Sequence, residues 1–301
     1  MKSRLILYLK GVAMGAADIV PGVSGGTIAL ITGIYEELIT TIKNINLDLF
    51  KSFFASGYKK FWIELNGNFL ITLLLGIFTS VILLAQVIVF LLENHEYKLW
   101  GFFFGLIVAS AVLILKDIQS FSINLAFWVL VGIIAAGAIS LSNSTNIPNT
   151  DVYVFFTGSI AITAMILPGI SGSFILLLLS KYEFIINAIK DFELRVIIVF
   201  AAGCIFGLII FSRFLHYLFQ NYKNKLLSLL SGFLIGSLIK IWPFRQNIET
   251  RLNSDGVEEA VVTQHNQSIP DLTEANSIVF FIAFSFLGYI LITFIQKKSI
   301  T

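Results

Sequence analysis

Six stretches of the chain are almost uninterruptedly apolar and have roughly the length of a membrane-spanning helix. A helix needs about 20 apolar residues to cross the hydrocarbon core of a bilayer. The shorter stretches are flanked by Trp or Tyr, which commonly lie at the membrane surface and extend a span. The pattern therefore predicts six spanning helices, over residues 69–92, 99–115, 121–141, 196–212, 226–241 and 276–296.

Two further apolar stretches are interrupted. Residues 11–34 and 158–180 each consist of two short apolar halves separated by Pro-Gly-x-Ser-Gly, with the proline at Pro21 in one and Pro168 in the other. Proline lacks a backbone N–H and glycine permits non-helical dihedral angles. At membrane depth such a break is tolerated only where protein or water satisfies the backbone. We predict a re-entrant helical hairpin at each stretch; one long, kinked spanning helix is the alternative.

The two interrupted stretches belong to an internal repeat. Residues 18–44 align with 165–191 without gaps at an offset of 147, and Pro, Gly, Ser, Tyr and Glu fall in step as well as aliphatic residues. Further matches follow later in the chain at an offset of 127. The chain is therefore predicted to be a duplication, with repeat 1 at about 1–145 and repeat 2 at about 148–301.

The number of spans in each repeat sets the topology. Each repeat holds one hairpin, which does not cross the membrane, and three spanning helices, so the second copy is turned upside down. Lys and Arg accumulate on the cytoplasmic side of membrane proteins. Placing both termini there leaves 13 of the 20 Lys and Arg inside and 7 outside. The predicted fold class is an all-α polytopic membrane protein built as an inverted-topology tandem repeat, with substrate held between the copies.

Two connecting segments have patterns of their own. Residues 44–65 place six aromatic residues at helical spacing, with lysines among them, which is typical of an amphipathic helix on the membrane surface. Packing of this helix against the protein itself is the alternative. Residues 243–275 form an external loop in this topology, and Asp255-Gly256 lies between strand-compatible runs, which favours a small β-hairpin. Two adjacent glutamates weaken the strand pattern, so a disordered loop is the alternative.

Composition excludes most other classes of protein. Of the 301 residues, 57% are apolar and 13% are charged, and the mean hydropathy is +0.89. A soluble domain of this size cannot hide so much apolar surface with so little charge. The net charge of +2 is spread thinly, which argues against a nucleic-acid partner. Cys204 is the single cysteine and excludes an intramolecular disulfide.

The interrupted motifs have the chemistry of an anion site. Backbone N–H groups in the first turn of a helix have no internal partner, and the helix dipole adds partial positive charge. A new half-helix begins after each proline, and inversion of the repeat brings the two half-helix N-termini towards one another. This favours phosphate, although the hydroxyls could simply cap their helices. The candidate phosphate-binding residues are Gly22, Ser24, Gly25, Gly26, Thr27, Gly169, Ser171, Gly172, Ser173 and Arg213.

Ionisable residues within the membrane-embedded stretches are further candidates, because they are costly there. Asp18 lies three residues before the first proline and is matched by Met165 in the repeat, which points to proton or sodium coupling rather than to a shared structural role; capping the broken backbone is the alternative. Glu36 and Glu183 are candidate gating residues or solvated helix ends. Arg213 would meet a phosphate or extend to the interface. No bound cofactor or metal is predicted.

The motifs resemble those of a known family. Residues 15–27 read GAADIVPGVSGGT and are followed by GIYE at 33–36, while residues 165–173 read MILPGISGS. This pair resembles the bacterial polyprenyl-phosphate transporter family, once catalogued as domain of unknown function 368. The resemblance implies an undecaprenyl-phosphate translocase of the bacterial cytoplasmic membrane. Such a protein is not an enzyme; it returns the lipid carrier of cell-wall synthesis from the outer to the inner leaflet, with membrane lipids as its other partners.

Two other functions remain open from the sequence. A transporter of a small soluble anion would use the same architecture. An intramembrane serine protease would share the Gly-x-Ser-Gly pattern, but a serine nucleophile needs a base within hydrogen-bond reach. The histidines are His95, His216 and His265, and only His216 lies near a predicted span. Duplication of a catalytic serine together with its proline also has no chemical reason.

Overall fold

A computed structural model describes residues 2–20, 23–118, 122–246, 250–252, 258–260, 266–267 and 275–300. The helices in the first half of the chain are α1 Lys2–Ile19, α2 Gly25–Ile31, α3 Tyr35–Lys43, α4 Leu47–Ser56, α5 Tyr58–Glu64, α6 Gly67–Asn94, α7 Glu96–Lys116 and α8 Ile123–Leu141. In the second half they are α9 Asp151–Ile166, α10 Gly172–Leu178, α11 Tyr182–Lys190, α12 Leu194–Ile241 and α13 Ala275–Ile300. Four short strands are β1 Arg245–Gln246, β2 Thr250–Leu252, β3 Glu258–Ala260 and β4 Asn266–Gln267.

Five of the described helices, α6, α7, α8, α12 and α13, are long and apolar enough to cross a membrane, and the chain is a multi-pass membrane protein. Four of the six predicted spans correspond to α6, α7, α8 and α13. The predicted spans 196–212 and 226–241 both lie in α12, on either side of Tyr222, where non-helical backbone angles divide α12 into two helices. In the apolar window of α7, 56% of residues are buried, against 28% or less for the other four helices, so α7 is the central span.

The interruption of α12 has a counterpart in the first half of the chain. Tyr222 leaves helical geometry with φ −138° and ψ 36°, and His95, between α6 and α7, has φ −141° and ψ 40°. The two positions are 127 residues apart, which is the second offset of the sequence repeat. The two parts of α12 therefore correspond to α6 and α7.

Glycine seams join the helices at equivalent positions in the two halves. In the α1–α6 contact, a Cβ added at Gly76 would collide with the carbonyl oxygen of Tyr8. In the α9–α12 contact, a Cβ at Gly203 would collide with the carbonyl oxygen of Phe155. These pairs are related by the same sequence offsets of 147 and 127. Small residues let the backbones approach closely, which is the main source of helix association in a membrane.

The last spanning helix of each half packs against the opposite half. A Cβ at Gly105 of α7 would collide with the carbonyl oxygen of Ser285 of α13, and one at Gly232 of α12 would collide with that of Val129 of α8. Thus α13 lies along a helix of the first half, and α8 lies along a helix of the second half. This exchange interlocks the two halves of the chain.

The segment 44–65 forms two short helices rather than one. α4 and α5 meet at Gly57, whose positive φ of 78° breaks the helix. α5 has no buried residue, and large apolar side chains point outward from the pair, including Phe54, which is 85% exposed, and Tyr58. Leu49 of α4 is buried and anchors the pair to the protein.

Within the segment 243–275, the described residues form two antiparallel strand pairs. β1 pairs with β4, and β2 pairs with β3. The β2–β3 pair brackets Asp255-Gly256, the predicted turn, which itself lies outside the described residues.

The segment between the two halves is tied to the bend between α10 and α11. The N–H of Thr145 donates to the carbonyl oxygen of Leu178 at 2.6 Å. Lys181, which is only 2% exposed, donates from Nζ to the carbonyl oxygen of Ile147 and to Oδ1 of Asn149. A buried ammonium group needs such acceptors to offset its lost hydration, so Lys181 fixes the linker on this bend.

Gly132→Ala and Gly137→Ala provide a matched test of the glycine seams, because both lie on α8 and share the same intrinsic gain of about 1 kcal/mol in helix propensity. A Cβ at position 132 collides with the carbonyl oxygen of Leu229, whereas one at 137 only touches Ile239 at 3.4 Å. We expect Gly132→Ala to destabilise the protein by about 1–3 kcal/mol through overpacking. Thermal unfolding in detergent measures both variants, and equal unfolding temperatures would contradict the close approach.

Candidate functional site

Both helix breaks fall at the Pro-Gly-x-Ser-Gly motifs. α1 ends at Ile19 and α2 begins at Gly25, while α9 ends at Ile166 and α10 begins at Gly172. Ser24 and Ser171 are the N-cap residues of α2 and α10, and both have the extended backbone that ends a helix break. The candidate residues Pro21 and Gly22 lie outside the described residues. The second half-helix, α10, and the helix that follows it, α11, meet at a bend of 109°.

The structure brings the two breaks into direct contact. The hydroxyl of Ser24 donates to the carbonyl oxygen of Met165 at 2.8 Å. In the other direction, the N–H of Gly169 donates to Oγ1 of Thr27 at 2.9 Å. Ser24 and Thr27 are 1% and 0% exposed. Two side chains of the first motif therefore form hydrogen bonds with backbone groups of the second break. These backbone groups have no helical hydrogen-bond partner, because the helix is interrupted there.

Two glycines of the first motif permit close packing around the first break. A Cβ at Gly26 would collide with the carbonyl oxygen of Ile166, across the contact between the breaks. A Cβ at Gly25 would lie 2.5 Å from Oδ2 of Asp18. Gly169 of the second motif has a φ of +83°, a backbone angle that residues other than glycine rarely adopt. Gly26 thus permits close approach of the opposite half, while Gly25 permits close approach of Asp18 within the first half.

Asp18 is bonded to the start of the first half-helix. Its Oδ1 accepts a hydrogen bond from the N–H of Gly25 at 2.6 Å, which is the capping role that the sequence left as an alternative. Its other oxygen, Oδ2, has no hydrogen-bond partner among the described residues. A carboxylate near the first turn of a helix is favoured by the helix dipole. Asp18 therefore caps the first half-helix through one of its two carboxylate oxygens.

The two half-helix N-termini are satisfied differently. In α2, Oγ of Ser24 accepts from the N–H of Gly26 at 3.0 Å, alongside the Asp18 bond to Gly25. In α10, the N-cap residue Ser171 makes no side-chain capping bond, and its hydroxyl instead pairs with that of Ser173 at 2.8 Å. First-turn N–H groups without a side-chain cap attract anions. The second motif therefore keeps more unused donor capacity than the first.

The remaining candidates, Glu36, Glu183 and Arg213, make no hydrogen bond or ion pair with the breaks among the described residues. Glu36 of α3 forms an ion pair with Lys223 of α12, with 2.9 Å between Oε2 and Nζ. Glu183 and Arg213 are exposed, and neither has a hydrogen bond or an ion pair among the described residues. His216 lies 3.3 Å from Oγ1 of Thr40, through Nδ1. These side chains link α3 to α12 or face outward.

The sequence reasoning missed several of the groups that hold the breaks and bends. The carbonyl oxygens of Met165 and Ile166 carry no side-chain signal, so no motif could reveal them. Lys10, which donates from Nζ to the carbonyl oxygen of Thr32 at 2.6 Å, holds the bend between α2 and α3. A lysine next to an apolar stretch, as at Lys10 and Lys181, was the available signal for both bends.

Comparison with known proteins gives one consistent picture. The sequence model of a family described as VCA0040-like, undecaprenyl phosphate translocase-like, matches residues 14–259. A protein from Vibrio cholerae serotype O1 named polyprenyl-phosphate transporter is 46% identical over 264 residues, which cover 88% of this chain and 85% of that protein. A protein of the same name from Staphylococcus aureus is 34% identical over 256 residues, 79% of this chain and 86% of the relative. No solved structure matches the chain.

Ser24→Ala and Ser171→Ala are expected to differ in their effect on stability. Ser24→Ala removes both a helix cap and the bond to Met165, which leaves a buried carbonyl oxygen unpaired and costs about 1–3 kcal/mol. Ser171→Ala removes only the bond to Ser173. Thermal unfolding in detergent is expected to show a clearly larger loss for Ser24→Ala, and an equal or smaller loss would contradict the contact between the breaks.

Proposed function

We propose that this chain, which belongs to the undecaprenyl phosphate translocase-like family, transports polyprenyl phosphate across the membrane. The two relatives named as polyprenyl-phosphate transporters are similar to it over most of both chains. The observation that carries the proposal is the contact between the two broken motifs, because it places two helix breaks, uncapped donors and a carboxylate at one point between the halves.

The phosphate of the substrate would bind at the second motif. Among the described residues, the hydroxyls of Ser171 and Ser173 bond to each other and to no other group, and α10 has no side-chain cap. A phosphate oxygen would accept from these hydroxyls and from first-turn N–H groups, as anions do at helix N-termini. The polyprenyl tail would remain in the surrounding lipid, against the outward-facing apolar side chains of the spanning helices.

Access to this site would require the two halves to separate. The bonds from Ser24 to Met165 and from Gly169 to Thr27 cross between the halves and close the space between the breaks. Alternating access by two inverted repeats would break these bonds and free the hydroxyls for the phosphate. The repeated seams and the equivalent interruptions at His95 and Tyr222 support two corresponding halves. Net movement would run from the outer to the inner leaflet.

Asp18 would couple transport to a proton or a sodium ion. One carboxylate oxygen is held by Gly25, at the point where the halves meet, and the other has no partner among the described residues. A change in the charge state of Asp18 would alter its bond to the first turn of α2 and hence the stability of the closed arrangement. Met165 at the equivalent position cannot do this, so the coupling would lie in one half only.

Binding of undecaprenyl phosphate to the purified protein tests the proposal directly. Inorganic phosphate and a neutral polyprenol serve as competitors. We expect tight binding that requires both headgroup and tail, so that neither competitor alone displaces the lipid at comparable concentration. Equal affinity for inorganic phosphate would favour a soluble-anion transporter instead, and displacement by the neutral polyprenol alone would exclude a phosphate site.

The double variant Ser171→Ala, Ser173→Ala locates the headgroup. Loss of two hydroxyl donors to a charged phosphate is expected to weaken lipid binding by about 1.5–3 kcal/mol, which is at least tenfold in Kd. Ser142→Ala is the control, because this exposed serine bonds only to the carbonyl oxygen of Ala138, far along the chain from the motifs. Unchanged affinity in the double variant, with normal unfolding temperature, would place the phosphate elsewhere.

Asp18→Asn tests the coupling. Transport of a labelled polyprenyl phosphate into proteoliposomes is measured with imposed proton or sodium gradients over a range of pH. The variant keeps an oxygen that can accept from Gly25 but cannot ionise, so we expect its transport to lose the dependence on pH or sodium. Asp48→Asn, at an exposed carboxylate paired with Lys51, should retain it. Identical profiles for Asp18→Asn and the unaltered protein would remove Asp18 from coupling.

A further inference from the structure

A cavity of about 430 Å³ lies where the beginning of α1, the bend between α2 and α3 and the beginning of α6 come together. Its polar lining is Ser3, Arg4, Lys10, Glu37 and Asn68. Apolar side chains complete the wall. No described residue of the two broken motifs lines this cavity, so it is separate from the site proposed above.

The charges in the cavity are held in different ways. Lys10 is half-buried and is fixed by its bond to the carbonyl oxygen of Thr32 at 2.6 Å. Glu37 is held through Oε1, which accepts from Nδ2 of Asn66 at 3.0 Å. Arg4 is exposed and has neither a hydrogen bond nor an ion pair among the described residues. The guanidinium group of Arg4 and the fixed ammonium group of Lys10 therefore line the same cavity, and guanidinium binds phosphate oxygens in a bidentate manner.

The surroundings of the cavity place it at the depth of lipid headgroups. Asn68 in its wall accepts a hydrogen bond from the indole N–H of Trp62 of α5 at 3.2 Å. Tyr58 of the same helix and Phe54 of the neighbouring helix α4 are exposed. Amphipathic aromatic side chains gather at the membrane–water interface. Next to Arg4, Leu5 and Leu9 of α1 are more than half exposed and would lie against acyl chains.

We propose that this cavity binds the headgroup of an anionic membrane lipid, with a phosphate diester held by Arg4 and Lys10. The hydroxyl of Ser3 and the amide of Asn68 supply further donors. Glu37 distinguishes among phosphate lipids, because its carboxylate repels a doubly charged phosphate monoester more strongly than a singly charged diester, and it accepts hydrogen bonds from headgroup hydroxyls. The cavity therefore suits a glycerol phosphodiester headgroup, with the acyl chains on Leu5 and Leu9. A free phosphate ion shares the chemistry of the headgroup but lacks these apolar contacts.

Equilibrium binding of short-chain phosphatidylglycerol to the protein in uncharged detergent tests this site. Arg4→Gln removes a charge-assisted contact and is expected to weaken binding about tenfold or more. Lys59→Gln removes the same charge from the exposed surface of α5, outside the cavity, and is expected to change affinity by less than about twofold. Equal effects of the two variants would reduce the interaction to general surface charge and overturn the proposal.

Three further measurements identify the lipid headgroup that binds and show whether it binds in this cavity. Glu37→Gln removes a negative charge and is expected to strengthen the binding of phosphatidic acid, whose headgroup is a phosphate monoester, more than the binding of phosphatidylglycerol. An equal change for both lipids would contradict a selective role of Glu37. Inorganic phosphate is expected to compete only at much higher concentration than the lipid; competition at equal concentration would make the site one for free phosphate. Ser171→Ala is expected to leave phosphatidylglycerol binding unchanged. If Ser171→Ala weakens it and Arg4→Gln does not, the lipid binds at the breaks and the cavity has no such role.

Discussion

The need to satisfy backbone groups at two broken helices, within a protein that offers little water, governs this structure. An unpaired backbone donor or acceptor costs several kcal/mol in an apolar environment. Each break meets this need through the other, because Ser24 donates to the carbonyl oxygen of Met165 and Gly169 donates to Thr27. Neither half of the chain could therefore hold its own break in the same way alone.

Helix packing reinforces this dependence. In lipid, helices associate through close van der Waals contact rather than through a hydrophobic effect, and the glycine seams supply that contact at equivalent places in both halves. Because α8 and α13 lie along helices of the opposite half, the halves are interlocked rather than merely adjacent. Lys10 and Lys181 hold the bends within their own parts of the chain. A movement of one half relative to the other would therefore act mainly on the contact between the breaks.

The two Pro-Gly-x-Ser-Gly motifs differ in chemistry. The first half-helix is capped by Ser24 and by Asp18, so its first-turn donors are already used. The second has no side-chain cap and carries a pair of hydroxyls bonded to each other. Among the described residues, one motif thus carries a bound carboxylate and the other carries hydroxyl and N–H donors without a side-chain cap. This difference suits the division proposed between coupling on one side and phosphate binding on the other.

The sequence by itself determined the membrane class, the positions of both helix breaks and the family, because hydropathy, proline and glycine act locally along the chain. It also located most of the spans. Tertiary structure decided that α8 and α13 each pack along a helix of the opposite half, and that Ser24 and Thr27 bond the opposite half rather than line an open site. Their partners are a carbonyl oxygen and an N–H of the main chain, which every residue type possesses. Only the folded arrangement selects which of them meet.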